Sequence, residues 1–277
     1  MKKKLFLFTC VCSVIFATGQ QDPQFSQNMF NKLANNPGYA GSRGVVATSV
    51  LHRSQYMGFG KDGGAGASTQ NFSIDAELPF LYGGAGLNIV TDNIAGYNNL
   101  GLQLSYAYRT ELGVGQIGMG MSVGMFQNGL NGGFLNAADP NDPAIPTGDV
   151  KGSALDLGAG VYYNTQDVYI GISSAHLTEP TIEWTDGNDY DMTRHYFLIA
   201  GYYHELNPSY SINPSIYLKS ASSPSTGLGN SQLDINANLI YNNYLWSGVS
   251  YRLDEGIAIL AGMNVNEDLR FGLAYDL

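Results

Sequence analysis

Four histidines, two sets of loop carboxylates and one glycine-rich turn are the parts of this 277-residue sequence equipped for chemistry. His52, His176, His195 and His204 lie in or beside different extended segments. None has the H-x-x-x-H spacing that places two ligands on one helix face, and no G-x-S-x-G nucleophile elbow is present. A serine and a histidine brought together from neighbouring strands, as a barrel phospholipase would need, leave no linear trace. These histidines therefore read as girdle or lumen side chains. Gly113, Gly115 and Gly118 spell G-x-G-x-x-G. The dinucleotide fingerprint needs a helix after it, to aim amides at a pyrophosphate, whereas here a strand follows and the match is a hairpin turn. Asp139, Asp142 and Asp149 share one connection, and Glu179, Glu183, Asp186, Asp189 and Asp191 share another. Asp186-Gly187-Asn188-Asp189 offers hard oxygens to calcium but lacks the spacing and final glutamate of an EF-hand loop. A solvated acidic loop is the default reading. No catalytic set, cofactor site or metal site emerges.

The elements behind these residues alternate with a period of two. In 116–126, Ile117, Met119, Met121, Val123 and Met125 point one way, and Gly118, Gly120, Ser122 and Gly124 the other. Leu100, Leu102, Leu104, Tyr106 and Tyr108 oppose Gly101, Gln103, Ser105, Ala107 and Arg109 in the same manner. Asp234, Asn236 and Asn238 make the polar face of 233–241, and Leu269, Phe271, Leu273 and Tyr275 the apolar face of 269–277. Segments of about ten residues with this alternation are what a tilted membrane-crossing strand requires. Thirteen are visible: 44–55, 68–79, 83–92, 97–111, 116–128, 152–164, 167–177, 193–205, 209–220, 231–242, 244–253, 256–265 and 269–277.

Their connections sort by parity. Every second one is tight, around 80–82, 112–115, 165–166, 206–208, 243 and 266–268, while 129–151, 178–192 and 221–230 are long. Short periplasmic turns and long outer loops are the asymmetry of an outer-membrane barrel. The fold class expected is all-β, an antiparallel transmembrane β-barrel with a short N-terminal helical segment. Apolar positions then face lipid, with Tyr106, Tyr108, Tyr241 and Tyr251 as an interfacial girdle. Gly, Ser, Asn and the few charges face the lumen. On this reading Met121 meets lipid, and at Gly120, which faces the lumen where many inward glycines leave room, an arginine is better tolerated than at Met121 if water is present. Arg53 and Gln55 share the lumenal face of the first strand, where Asp75 or Glu77 of the second offers Arg53 a partner.

Composition fits the same picture. Residues 1–19 form a secretory signal peptide, with Lys2, Lys3 and Lys4 ahead of an apolar run over 5–17 and small residues at Ala17 and Gly19 before Gln20. Phe8-Thr9 before Cys10 is the wrong context for a lipoprotein signal. Cys10 and Cys12 leave with the peptide, so the mature chain has no disulfide or thiolate metal site. Loss of the three lysines takes the net charge from −10 to −13, which excludes a basic nucleic-acid footprint. No later apolar run reaches the length of a membrane helix.

Between signal and strands, residues 20–42 read QQDPQFSQNMFNKLANNPGYAGS. Asp22-Pro23 and Asn36-Pro37-Gly38 punctuate the two ends. Between them Ser26 is placed to cap a helix of two to three turns, with Met29, Phe30 and Leu33 as one apolar face. This stretch, continued through Arg43-Gly44, resembles the N-terminal signature of the PorP/SprF family, outer-membrane proteins of the type IX secretion and gliding machinery of Bacteroidetes. One departure is Arg53-Ser54-Gln55-Tyr56, where the family commonly has Arg-x-Gln-Trp.

The resemblance implies a non-enzymatic component of type IX export, without cofactors, that supports export or surface attachment of a partner adhesin. Implied partners are the secreted surface adhesin, periplasmic motor-associated proteins and outer-membrane lipid. Asp22, Pro23, Phe25, Gln27, Met29, Phe30, Asn36, Pro37, Tyr39 and Gly41 are the candidates for partner binding or for plugging the barrel. Two other readings remain open at this point, a channel for small or hydrophobic molecules and a secreted β-rich binding protein. The division expected is 1–19 signal, 20–42 signature segment and 43–277 barrel. An odd strand count would set the first and last strands parallel, so about fourteen strands are expected, the last lying beyond Leu277.

Overall fold

The computed structural model describes residues 22–56, 66–134, 146, 148–223 and 227–277. The signal peptide and the loop carboxylates Asp139 and Asp142 lie outside the described residues. The alternating segments form β1 (Ala47–Gln55), β2 (Ala67–Leu78), β3 (Gly83–Ile94), β4 (Tyr97–Leu112), β5 (Gly115–Leu130), β6 (Val150–Asn164) and β7 (Val168–Ala175). A small hairpin, β8 (Thr181–Glu183) and β9 (Asp189–Asp191), follows. The chain continues with β10 (His195–Tyr202), β11 (His204–Asn207), β12 (Tyr210–Ser223), β13 (Gly227–Tyr241), β14 (Leu245–Arg252), β15 (Gly256–Asn264) and β16 (Arg270–Asp276). Leaving aside β8–β9 and β11, each strand pairs antiparallel with the one before it, so the sheet is a meander that passes directly from β7 to β10 and from β10 to β12. β10 and β11 are two halves of one expected strand, separated at Tyr203 and both paired with β12. Each of the thirteen expected strands is present.

The sheet curls until its ends approach. Arg53 of β1 lies 2.7 Å from Asp276 of β16. Among the described residues no backbone ladder joins these two strands. Facing follows the pattern required in lipid. Leu104, Met121, Ile172, Val249 and Leu273 are exposed on the outer wall, while Asn71, Ser105, Ser122, Asp156, Asp234 and Asn236 are buried within. Apolar outside and polar inside is the inverse of a soluble protein and the arrangement of a membrane barrel. Tyr106, Tyr108, Tyr241 and Tyr251 are all on the outer face. No described helix is long and apolar enough to cross a membrane.

Two local expectations are overturned. The connection at 221–230 is not a long loop, because β12 runs to Ser223 and pairs there with Gly227. Ser, Pro and Gly mark a turn in sequence but do not prevent the flanking residues from extending a ladder already formed. The acidic connection at 178–192 is not merely solvated either. It folds as β8–β9, whose Ile182 packs with Phe126 and Met192. Asp186 accepts from the Asn188 backbone amide and side chain in the hairpin turn, as an Asx turn does.

Candidate functional site, a segment threaded through the barrel

Residues 22–44 descend the inside of the barrel from the long-loop end to the tight-turn end. At the top, Arg53 donates to the Gln24 carbonyl at 2.8 Å, and Ser26 donates to Asp276 at 2.6 Å. Lower down, the Asn28 amide donates to Asp234 at 2.8 Å and its oxygen accepts from Asn236 at 3.3 Å. Asn36 donates to the carbonyls of Val161 at 3.0 Å and Ile172 at 3.3 Å, while its own oxygen accepts from Gly38 N at 2.8 Å. At the bottom, Gly41 N and Arg43 both bond Asp75.

These side-chain bonds explain why the expected helix is absent. The segment makes three separate single turns, 3-10 at Asn28–Phe30, α at Lys32–Asn35 and 3-10 at Pro37–Tyr39. Ser26 caps none of them, because its hydroxyl is committed to β16. Asn31, at φ −112°, interrupts what would otherwise be one helix. The expected apolar face divides accordingly. Met29 packs with Trp246 and Leu260, with Phe30 beside them and its ring 5.2 Å from the Trp246 ring. Leu33 packs instead with Ala40 and Ala107. Phe25 is buried, and Gln27 reaches toward Gly272. Tyr39 meets the Tyr162 ring edge-on at 5.1 Å. Pro23 and Phe25 line a cavity with Asp22, Asn31, Gln103, Asp156 and His176.

The inward glycines are the seat of this segment, not empty room. A Cβ on Gly120 would stand 2.4 Å from the Pro37 carbonyl carbon, and one on Gly118 would stand 2.3 Å from the Gly38 carbonyl oxygen. The expectation that position 120 tolerates bulk is therefore corrected. Gly113, by contrast, has φ +62° in the β4–β5 turn, so the G-x-G-x-x-G match is a hairpin.

The expected pairing of Arg53 with Asp75 or Glu77 does not form. Antiparallel register sets Arg53 opposite Thr69 and Ala47 opposite Asp75, so the two charges lie about 20 Å apart along the strands. Arg53 binds Asp276 and the Gln24 carbonyl instead, and Gln55, with its amide oxygen turned to the guanidinium, accepts from it at 3.0 Å. Asp75 takes Arg43, and Glu77 is exposed.

Two histidines come together where sequence reasoning saw four separate ones. His176, just past β7, is bonded by Nδ1 to Asp156 and by Nε2 to Asp22, both at 2.9 Å. His195 opens β10, fully buried, with Nδ1 3.7 Å from Asp22 and 2.9 Å from the Thr193 carbonyl. Lys219 of β12 donates to the Asp22 carbonyl at 2.9 Å. Burial disfavours the His176 imidazolium, but the Asp22 and Asp156 carboxylates outweigh it and hold its pKa up to about 10. Burial likewise opposes the Asp22 carboxylate, yet His195, His176 and Lys219 together keep it well below the usual carboxylate range. The available signals were Asp156 and Lys219, charges at inward positions of membrane strands. His52 and His204 are exposed beside Ser54 and Tyr202 and join no cluster.

A family model described as Type IX secretion system membrane protein PorP/SprF matches residues 17–277. The chain belongs to the PorP/SprF family. It is a membrane component of the type IX secretion system, and its all-β fold places it in the outer membrane. No curated protein matches it. In this PorP/SprF protein, the signature stretch that carried the resemblance is the segment threaded through the lumen.

Proposed function

We propose that this PorP/SprF barrel is a non-enzymatic subunit that supports export or surface attachment of a secreted adhesin, and that its threaded N-terminal segment is the element partners engage. The observation that supports this reading is how completely side chains commit the lumen to that segment. Asn28, Asn36, Gly41 and Arg43 are bonded to the wall at successive levels, and Gly118 and Gly120 press against its backbone. A conducting channel needs that path open. Periplasmic motor-associated partners would meet the segment at the tight-turn end, where Arg43, Val45 and Val46 emerge.

Deletion of residues 22–36 behind an intact cleavage site tests this. The expected result is a barrel that inserts normally, conducts ions in planar bilayers where the full chain conducts little, and no longer supports adhesin display. Undiminished display from the inserted deletion variant would overturn the engagement role. High conductance by the full chain would favour a channel instead.

A further inference from the structure

We propose that Asp22, His176 and His195 form a binding site for a divalent transition-metal ion of the zinc class, which fastens the upper end of the threaded segment to the barrel wall. One donor atom from each of the three residues lies within 4.8 Å of the other two. Two donors bound to a tetrahedral ion at about 2.0–2.2 Å stand roughly 3.3 Å apart. The separations here bracket that value, at 2.9 Å from His176 Nε2 to Asp22 Oδ1 and 3.7 Å from His195 Nδ1 to Asp22 Oδ2. The two histidines meet different oxygens of the one Asp22 carboxylate, so a turn of that carboxylate and of the two rings is what gathers all three around one ion.

The surroundings are those of a ligand set. His176 Nδ1 is held by the Asp156 carboxylate, the outer-shell partner that orients a metal-bound imidazole and raises its basicity. His195 is completely buried, and its Nε2 has no hydrogen-bond partner. The nitrogen facing Asp22 is the other one, Nδ1, and it is this atom that coordinates, giving up the hydrogen bond it makes to the Thr193 carbonyl. Asp22 and His176 also border a cavity of about 70 Å³, with Asn31, Gln103 and Asp156 along its wall. It has space for the water that completes a coordination sphere with three protein ligands. Imidazole with carboxylate suits zinc and its neighbours rather than calcium or magnesium. Asp22 and Asp156 offset the ion's charge, and Lys219 bonds the Asp22 main chain, leaving its carboxylate free to coordinate. Binding displaces two protons, the one shared by His176 Nε2 and Asp22 and the one His195 Nδ1 donates to the Thr193 carbonyl, and both leave to solvent.

The test uses the full chain, purified in detergent, stripped with chelator and titrated with Zn²⁺ by calorimetry and with Co²⁺ by visible absorption. One ion per chain is expected, with the d–d bands of a low-coordinate Co²⁺ site. Asp156→Asn should weaken binding about 10- to 100-fold. His176→Ala and His195→Gln should each abolish saturable uptake, while His52→Ala should leave it unchanged. Should a histidine variant fail to insert, Asp22→Asn, on the threaded segment, carries the test and should weaken binding at least 10-fold. Absence of stoichiometric uptake by the parent chain, or uptake that survives Asp22→Asn and the double histidine variant, overturns the site.

Discussion

Gly120 of β5 and Pro37 of the threaded segment touch backbone to backbone, with only 2.4 Å between a Cβ built on the glycine and the proline carbonyl carbon. The contact is rigid on both sides, so the glycine cannot be enlarged without moving the segment. Gly120→Leu is expected to weaken docking by ~1–3 kcal/mol or more. Limited proteolysis reads the outcome as cleavage within residues 22–42 of an otherwise resistant barrel. Protection equal to the parent would show that the wall yields there.

The neighbouring residue makes the opposite experiment. Met121 is on the outer wall, two-thirds exposed, and touches no part of the segment. Met121→Arg should cost ~2–4 kcal/mol in lipid if the position is near the midplane, and should leave residues 22–42 protected. Unfolding from vesicles measures the first effect and proteolysis the second. A stable arginine variant would contradict the outward facing.

Asn36 links two strands and its own turn through one amide. Asn36→Leu preserves much of the volume but strips Gly38 N of its bond and removes a donor from two wall carbonyls. Each buried group left unpaired costs ~1–3 kcal/mol, so the segment should undock at equilibrium far more often. Hydrogen exchange at Gly38 and Tyr39 is the direct readout, and unchanged exchange would dismiss the link.

Lys32 moors the middle of the segment by charge. Its Nζ lies over the Tyr169 ring, 3.4 Å from the centroid. Lys32→Met keeps the length of the side chain and removes the charge, and should weaken docking by ~0.5–2 kcal/mol. Limited proteolysis within residues 22–42 reads the change, and protection equal to the parent would show that this contact contributes nothing.

The alternation in 97–130 and 231–242 was enough to locate strands and their lipid faces, because facing depends only on a period of two. Register was harder. Arg53 was visible as an inward charge, but its neighbour depends on how β1 and β2 align, and that alignment placed it against Thr69. The segment was least legible. Its turns are set by bonds from Asn28 and Asn36 to a wall more than 100 residues away, and local propensity at Ser26 has no part in them. His176 and His195 become neighbours only because the sheet omits β8–β9 from its sequence of pairings.

The threading of residues 22–44 also sets the calibre of the barrel. Arg109 holds the Gly38 carbonyl near one end and Lys219 the Asp22 carbonyl near the other, so the segment is moored to the wall along its length. The segment precedes every strand in the chain, so it is available to each strand of the wall as that strand is made. Its glycine seats on β3, β5 and β6 would then be filled as each strand arrives, and the barrel's bore is the calibre of its own leader segment.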